Sequence, residues 1–220
     1  MKRKYSISLN VGFYPEKEML RLQEKKRQGW QFLKMNRLGI LSFQACEPAE
    51  KLFAVDFFTG KPAEVAEYLE FYEASGWKAI SSYRHKYFYF MADPGTPLIF
   101  SDQKSYQERI FAEWRWLLRQ SFWVALIGTL LLLGSLIGKN LFDWGWGEYL
   151  MIIGGVLLLY PFSYGVAMLF MQIQYRNRAA FFHQPERLAK RQRLGRDMLV
   201  LMGIGGVIGG IIGFAVGNFY

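Results

Sequence analysis

Cysteine, histidine and, in the second half of the chain, charge are scarce in this 220-residue sequence. The single cysteine, Cys46, excludes a disulfide framework and a cysteine-built zinc site. The two histidines, His85 and His183, lie far apart in sequence, so we do not expect a histidine-built metal site. After position 120, all but one of the basic residues lie between Arg176 and Arg196. This uneven distribution of charge excludes a single soluble globular domain and a disordered chain.

Apolar residues are abundant, at 52% of the chain, and they collect in three uncharged runs. A helix needs about 20 apolar residues to cross a bilayer. We therefore predict a membrane region over 121–220, with spans at 121–138, 149–170 and 198–219. The first residues lack an apolar core of the length that a secretory signal peptide needs, so no such peptide is expected. Since no Asp, Glu, Lys, Arg or His lies inside any predicted span, transport is not favoured.

Basic residues near the ends of the spans predict the orientation of the chain, because such residues stay in the cytoplasm. They place residues 1–120 and the loop 171–197 inside, and the loop 138–148 and Tyr220 outside, in a multi-pass protein of the cell membrane. The loop 171–197 is also predicted to lie on the anionic membrane lipid. Its basic residues are Arg176, Arg178, Arg187, Lys190, Arg191, Arg193 and Arg196. Aromatic rings fall at the predicted interfaces: Trp114, Trp116, Trp123, Trp144, Trp146 and Tyr149. Direct binding of nucleic acid is not expected, because the chain is tethered and has no recognition motif.

The third predicted span carries glycines at every fourth position, namely Gly205, Gly209, Gly213 and Gly217. This spacing places them on one helix face, where another helix can approach closely. The partner is the first span, the second span or another copy of the chain, and we favour packing within the chain. A homo-oligomer therefore stays open.

The first part of the chain repeats itself at an offset of 47 residues, for example at Gly29 and Gly76. The repeats cover about 5–47 and 52–92 of a domain at 1–100. Identical pairs are Leu22/Leu69, Gly29/Gly76, Trp30/Trp77, Arg37/Arg84, Phe43/Phe90 and Ala45/Ala92. In each repeat a proline opens a charged helix, a glycine ends it in the left-handed conformation, and a tryptophan starts a strand. A further strand precedes each helix, as in 5–11 and 52–58.

Each repeat is thus predicted to be β-α-β-β. Two repeats give an α+β fold, a duplicated ferredoxin-like sandwich with one antiparallel sheet of about six strands and two helices on one face. A juxtamembrane helix at 101–120, capped by Ser101 or Asp102, leads into a three-helix transmembrane region. The domain has more aromatic residues than one helix–sheet interface needs. Two interpretations remain. Either an aromatic sheet face is exposed for docking, or the face is covered by the juxtamembrane helix or by a second copy of the chain.

Residues 16–116 resemble the bacterial domain-of-unknown-function family 2812 (DUF2812). The resemblance is carried by Gly29-Trp30, Val55-Asp56-Phe57, Ser75-Gly76-Trp77 and Phe100-Ser101-Asp102. Members of the family often have membrane spans after the domain, as here. They are often encoded beside PadR-like transcription regulators, which implies a regulatory partnership. The family brings no catalytic residue to this chain.

Signatures of catalysis are missing from the sequence, including the phosphate-binding Gly-Lys-Ser/Thr loop and the Gly-x-Ser-x-Gly elbow. Cys46 is expected to be an ordinary thiol and His85 part of a cationic hairpin tip. Our main hypothesis is a non-enzymatic, membrane-anchored regulatory module without cofactor or metal, which docks a protein partner such as a PadR-like regulator. The alternative is an accessory or immunity-type membrane protein that acts through helix packing in the bilayer. A lipid- or ligand-handling enzyme is a third hypothesis, for which no convincing catalytic group is found.

Overall fold

A computed structural model describes residues 2–142 and 147–217, with the side chains of all of these except 139–142, 211 and 214–216. Trp144, Trp146 and Tyr220, for which positions at or beyond the membrane surface are predicted, lie outside the described residues. The chain divides into two compact units. The first, here called the αβ domain, is Met1–Ala112 with Asn177–Leu194, and the second, the helical unit, is Glu113–Arg176 with Gly195–Tyr220.

The αβ domain begins with two successive β-α-β-β arrangements. Their elements are β1 (Arg3–Ile7), α1 (Pro15–Arg27), β2 (Trp30–Met35), β3 (Ile40–Ala45), β4 (Leu52–Phe57), α2 (Val65–Ala74), β5 (Lys78–Tyr83) and β6 (Tyr87–Ala92). Pro15 opens α1 as predicted, whereas Pro62 opens a 3-10 turn, Pro62–Glu64, that directly precedes α2. Gly29 and Gly76 follow the two helices with φ of +80° and +84°, the left-handed backbone that the sequence predicts.

The strands form two three-stranded antiparallel sheets, in the orders β1-β3-β2 and β4-β6-β5. The predicted single sheet of six strands is therefore wrong, and a ferredoxin-like sandwich is not confirmed. Although β2 and β5 lie side by side, each has a register irregularity, at Phe32/Lys34 and at Ala79/Ser81. A bulge bends and twists a strand, so these two edges do not continue one sheet into the other. The irregularities lie 47 positions apart (79 minus 32), which is the offset of the predicted repeat.

Aromatic side chains fill both faces of the second sheet. On one face Tyr72 stacks on Phe90 with ring centroids 4.4 Å apart, in a cluster that includes Trp77 and Phe88. On the other face Tyr89 packs against Phe32 of the first sheet at 5.1 Å. Tyr87, Phe88, Tyr89 and Phe90 are all buried. The open aromatic sheet face that the composition allows is absent from β6, because the first sheet and α1 cover one side and α2 the other.

The αβ domain is completed by two further parts of the chain. One is the start of α3 (Gln103–Phe142), whose first turn is capped by Asp102, since its Oδ1 accepts the Ser105 N–H at 2.9 Å. The other is a returning segment, 177–194, which contains a 3-10 turn and α5 (Pro185–Arg191). In this segment α5 packs on α1. The domain predicted at 1–100 therefore includes neither the start of α3 nor the returning segment.

The helical unit consists of the rest of α3, α4 (Gly147–Gln174) and α6 (Leu194–Gly217). Two helices are long and apolar enough to cross a membrane, over Gln103–Gly138 and Gly147–Gln174, which indicates membrane association. The third predicted span falls on α6 and stays a prediction. α3 runs without a break from the αβ domain into its apolar stretch.

Candidate functional site

Glu16, in the first turn of α1, lies at the centre of a buried polar network. Its Oε1 accepts hydrogen bonds from the Tyr106 hydroxyl and, at 2.8 Å, from Arg178 Nε. Its Oε2 accepts from Gln192 Nε2 at 2.9 Å. Burial raises the pKa of Glu16, but Arg178 and Tyr106 outweigh burial, so that its pKa lies below the ordinary value. An ionised Glu16 thereby joins α1 to α3 and to both ends of the returning segment.

Asp56, in β4, is the centre of a second buried network. Its Oδ2 accepts hydrogen bonds from the hydroxyls of Tyr68 at 2.9 Å and Tyr72 at 2.8 Å. Its Oδ1 accepts the Phe57 N–H at 2.7 Å and lies 3.6 Å from Arg109 Nε. Burial and the charge of Asp56 raise the pKa of both tyrosines, which therefore remain protonated donors. This network holds β4, α2 and the start of α3 together.

A cavity of about 550 Å³ lies within the αβ domain and is lined by members of both networks, among them Glu16, Tyr106 and Arg109. This volume is in the range of pockets that hold small molecules, roughly 300–1,000 Å³. Its walls come from α1, β4, Trp77, residues 98–100, the start of α3 and residues 181–190. Apolar side chains form most of the wall: Met19, Leu20, Phe53, Val55, Leu98, Ile99, Phe100, Phe181 and Phe182.

The cavity is buried at one end and exposed at the other. Pro15, Met19, Phe53 and Trp77 are buried. The exposed lining residues lie mainly on and before α5, and they are mostly polar or charged: His183, Gln184, Glu186, Arg187 and Lys190. The arrangement can hold an apolar molecule and place its polar end at α5.

The model of a protein family described as "protein of unknown function (DUF2812)" matches residues 14–123, which is half of the chain. The chain belongs to the DUF2812 family. Neither the curated proteins nor the solved structures contain a match to it. Glu16, Asp56 and Arg109 of this DUF2812 protein lie inside the matched stretch, whereas Arg178 and Gln192 lie outside it. The family match therefore covers one side of the cavity, and the returning segment supplies the other.

The predicted membrane-surface residues of this DUF2812 protein fall into two groups. Arg178 has a side chain only 10% exposed and is ion-paired with Glu16, so it is not available to a lipid surface as predicted. The other six are exposed: Arg176, Arg187, Lys190, Arg191, Arg193 and Arg196. For these six the interaction with lipid stays a prediction. The returning segment packs on α1 rather than lying separately, because Glu16 offers Arg178 a buried partner.

The four predicted repeat residues occupy equivalent places in the αβ domain. Gly29 and Gly76 end the turns after α1 and α2, Trp30 begins β2, and Trp77 directly precedes β5. Trp77 is buried and its Nε1 donates to the Pro97 carbonyl at 2.8 Å, while Trp30 is half-buried beneath the Lys4 ammonium. Of these four residues, Trp77 is the one that also lines the cavity.

The predicted glycine face of α6 is open. A Cβ atom built at Gly205, Gly209, Gly213 or Gly217 would meet nothing within 4 Å among the described residues. Packing within the chain, which the sequence favours, is therefore not what the described part of the helical unit shows. A close helix approach occurs instead between α3 and α4, where a Cβ at Gly128 would lie 2.7 Å from the Gly154 carbonyl oxygen.

The sequence alone does not indicate the roles of Glu16, Asp56, Arg109 and Gln192. Asp56 stands between apolar residues of a predicted strand, which is the signal of a buried carboxylate that needs partners. Glu16 looks like a favourable charge in a first helix turn. Its partners Arg178 and Gln192 are more than 160 residues away, and no spacing rule connects them.

Proposed function

We propose that this DUF2812 protein is a non-enzymatic, membrane-anchored regulatory module, whose αβ domain lies in the cytoplasm of a bacterial cell and docks a protein partner. The observation that carries the proposal is the path of the chain. It leaves the αβ domain after Ala112, returns at Asn177 and leaves again after Leu194. A domain joined covalently to α3, α4 and α6 is suited to pass a change in those helices to a bound partner.

The Glu16 network supports this coupling. Arg178 follows the first residue of the returning segment, Gln192 lies near its end, and both bind the same buried carboxylate. The ammonium of Lys17 also donates to the Gln192 carbonyl at 2.9 Å. A displacement at either end of the segment therefore acts on α1.

The orientation follows from the basic residues near the apolar helices. Arg109, Arg115 and Arg119 precede the apolar part of α3, and the returning segment between α4 and α6 carries five of the eight basic residues that follow position 120. Both belong inside by the positive-inside rule. We propose a multi-pass protein with three spans, a cytoplasmic αβ domain and an external carboxyl end.

An exposed apolar patch supports protein docking. Tyr5 and Ile7 lie on one face of β1, an edge strand, and are 60% and 76% exposed. Leu38, in the turn before Ile40, is 83% exposed, and Ile40 is the pairing partner of Ile7. Large apolar side chains on an edge strand are a liability unless a partner covers them. The PadR-like regulators encoded beside family members are the partner that we propose.

The test is binding of the purified regulator from the same gene neighbourhood to the full chain in lipid nanodiscs. We expect specific binding that the double variant Tyr5→Ser/Ile7→Ser weakens at least tenfold. Phe71→Ser, which changes a 68% exposed aromatic residue of α2, is the matched control and should bind normally. The proposal would be contradicted if the regulator does not bind and if no cytoplasmic protein is recovered with the chain from membranes.

The open glycine face of α6 favours a second candidate, an accessory or immunity-type membrane protein that packs against another membrane protein. The variant Gly209→Leu/Gly213→Leu discriminates between the two. Under this candidate it abolishes function in cells, whereas under the first proposal docking of the regulator persists. Gly203→Leu, which lies about 120° around α6 from Gly209 and about 80° from Gly213, is the control, since nothing lies within 4 Å of it either.

A further inference from the structure

The cavity of the αβ domain has an apolar body and a charged mouth. Met19 and Phe53 line it from α1 and β4 and are buried, and Phe100 and Phe182 close it from two connecting segments. Such a wall gains free energy by covering the apolar part of a ligand. It does not by itself distinguish one apolar molecule from another.

The charged residues of the cavity wall determine which apolar molecule fits. The two carboxylate oxygens of Glu16 are occupied by Arg178, Tyr106 and Gln192, and Arg109 is paired with Asp56. These four charged groups thus form two ion pairs inside the domain. The charged groups left at the mouth are Arg187 and Lys190 on α5, with one carboxylate, Glu186.

Arg187 and Lys190 are three residues apart and therefore lie on the same side of α5. Both are exposed, and Lys190 has no hydrogen-bond or ion-pair partner within the described ranges 2–142 and 147–217. His183, also at the mouth, adds a third nitrogen-bearing side chain. One apolar compartment with a positive end complements one apolar chain with a negative end.

We propose that this cavity binds a single-chain amphiphile with one carboxylate head group, such as a fatty acid. The chain lies among Met19, Leu20, Phe53, Phe100 and Phe182, and the carboxylate lies at Lys190 and Arg187. The site needs no partner protein, so it is independent of the docking proposed above, and only the intracellular source of its ligand rests on the proposed cytoplasmic position of the domain. Through the returning segment it would respond to an acyl chain inside the cell.

The probe is dodecanoate, titrated calorimetrically into the full chain in nanodiscs of phosphatidylcholine, with empty nanodiscs subtracted. We expect saturable binding of one dodecanoate per chain. Arg187→Glu/Lys190→Glu should weaken binding at least tenfold, because it reverses the charge at the head group. Lys34→Glu/Arg37→Glu, at two exposed positions that do not line the cavity, makes the same double charge reversal and should leave binding unchanged.

Two further measurements examine the apolar body and the head group separately. Leu20→Trp fills the cavity and should abolish dodecanoate binding while circular dichroism shows an intact fold. Dodecanol and dodecyltrimethylammonium share the chain but lack the carboxylate, and they should bind at least tenfold more weakly.

Three results would overturn the assignment. They are binding no greater than to empty nanodiscs by a folded protein, equal binding of dodecanoate and dodecanol, and displacement of dodecanoate by phosphatidylglycerol in the nanodisc. The last result would identify a two-chain membrane lipid as the occupant.

Discussion

At the scale of single residues, two buried carboxylates organise the αβ domain. Glu16 is ionised in the folded domain because Arg178 and Tyr106 outweigh its burial. Glu18, two residues later, shows the opposite balance of these effects. Burial raises its pKa, and the opposing effects of the Leu9 N–H at 3.0 Å, the Ser8 hydroxyl and the more distant Arg21 are too small to cancel it. Neighbouring acids on one helix thus differ because of their partners.

Replacement of Glu16 by Gln should destabilise the domain at neutral pH by about 3 kcal/mol, the scale for removing one partner of a buried ion pair. The folded pKa of Glu16 lies below its ordinary value of 4.5. Its stabilising effect is therefore present above that pH and is lost as pH falls through the folded pKa. Thermal unfolding of the full chain in nanodiscs should show a difference between wild type and Glu16→Gln at pH 7 that disappears at low pH.

The matched control is Glu24→Gln, on the exposed side of α1. It should change the midpoint little at either pH. Trypsin should also cut the returning segment of Glu16→Gln faster than that of wild type, because the variant loses the ion pair that holds the segment on α1. The exposed residues Arg187 and Lys190 are the expected cleavage sites. Equal cleavage rates would show that Glu16 does not hold the segment.

Asp56 provides the second prediction at this scale. Asn has a single carbonyl oxygen and no charge, so Asp56→Asn cannot keep both tyrosine hydrogen bonds and the attraction of Arg109. We expect a loss of stability of about 3–5 kcal/mol. Tyr68→Phe removes one hydrogen bond to a charged acceptor and should cost about 1.5–3 kcal/mol. Midpoints of chemical unfolding test the order, and an equal effect of the two changes would contradict it.

At the scale of elements, sequence patterns predict most helices and strands but not how they assemble. The left-handed glycines Gly29 and Gly76 and the prolines at the helix starts act locally, so their effects are visible in sequence. The division into two sheets depends on the bulges in β2 and β5, which alternation of apolar residues does not reveal. The cavity is even harder to predict from the sequence, because the returning segment contacts α1 only in the folded structure.

The close approach of α3 and α4 is an element-scale feature that can be tested. A Cβ at Gly154 would lie 2.8 Å from the Gly128 carbonyl oxygen, and backbone cannot move aside cheaply. Gly154→Ala should therefore push the helices apart and cost about 1–3 kcal/mol. Gly155→Ala is the control, since nothing lies within 4 Å of that position among the described residues. Unfolding of the full chain in increasing dodecyl sulfate measures both variants, and equal midpoints would show that the close approach is unimportant.

At the scale of the whole molecule, the interleaving of the αβ domain with apolar helices makes orientation decisive for function. A cytoplasmic partner or an intracellular acyl chain can reach the αβ domain only if it lies inside. The positive-inside rule predicts this from Arg176, Arg196 and their neighbours. The same rule places Glu148, exposed in the first turn of α4, on the other side of the membrane.

Cys46 makes the orientation measurable without a preceding mutation. It is the single cysteine, it is half-buried at the end of β3, and its Sγ lies 3.3 Å from the Lys26 ammonium. A membrane-impermeant maleimide should label it only after cells are permeabilised. The variant Cys46→Ser/Glu148→Cys should be labelled in intact cells, and labelling after dodecyl sulfate denaturation gives the total thiol of each. If Cys46 reacts in intact cells and the cysteine at position 148 does not, the αβ domain lies outside, and neither a cytoplasmic regulator nor an intracellular fatty acid can be its ligand.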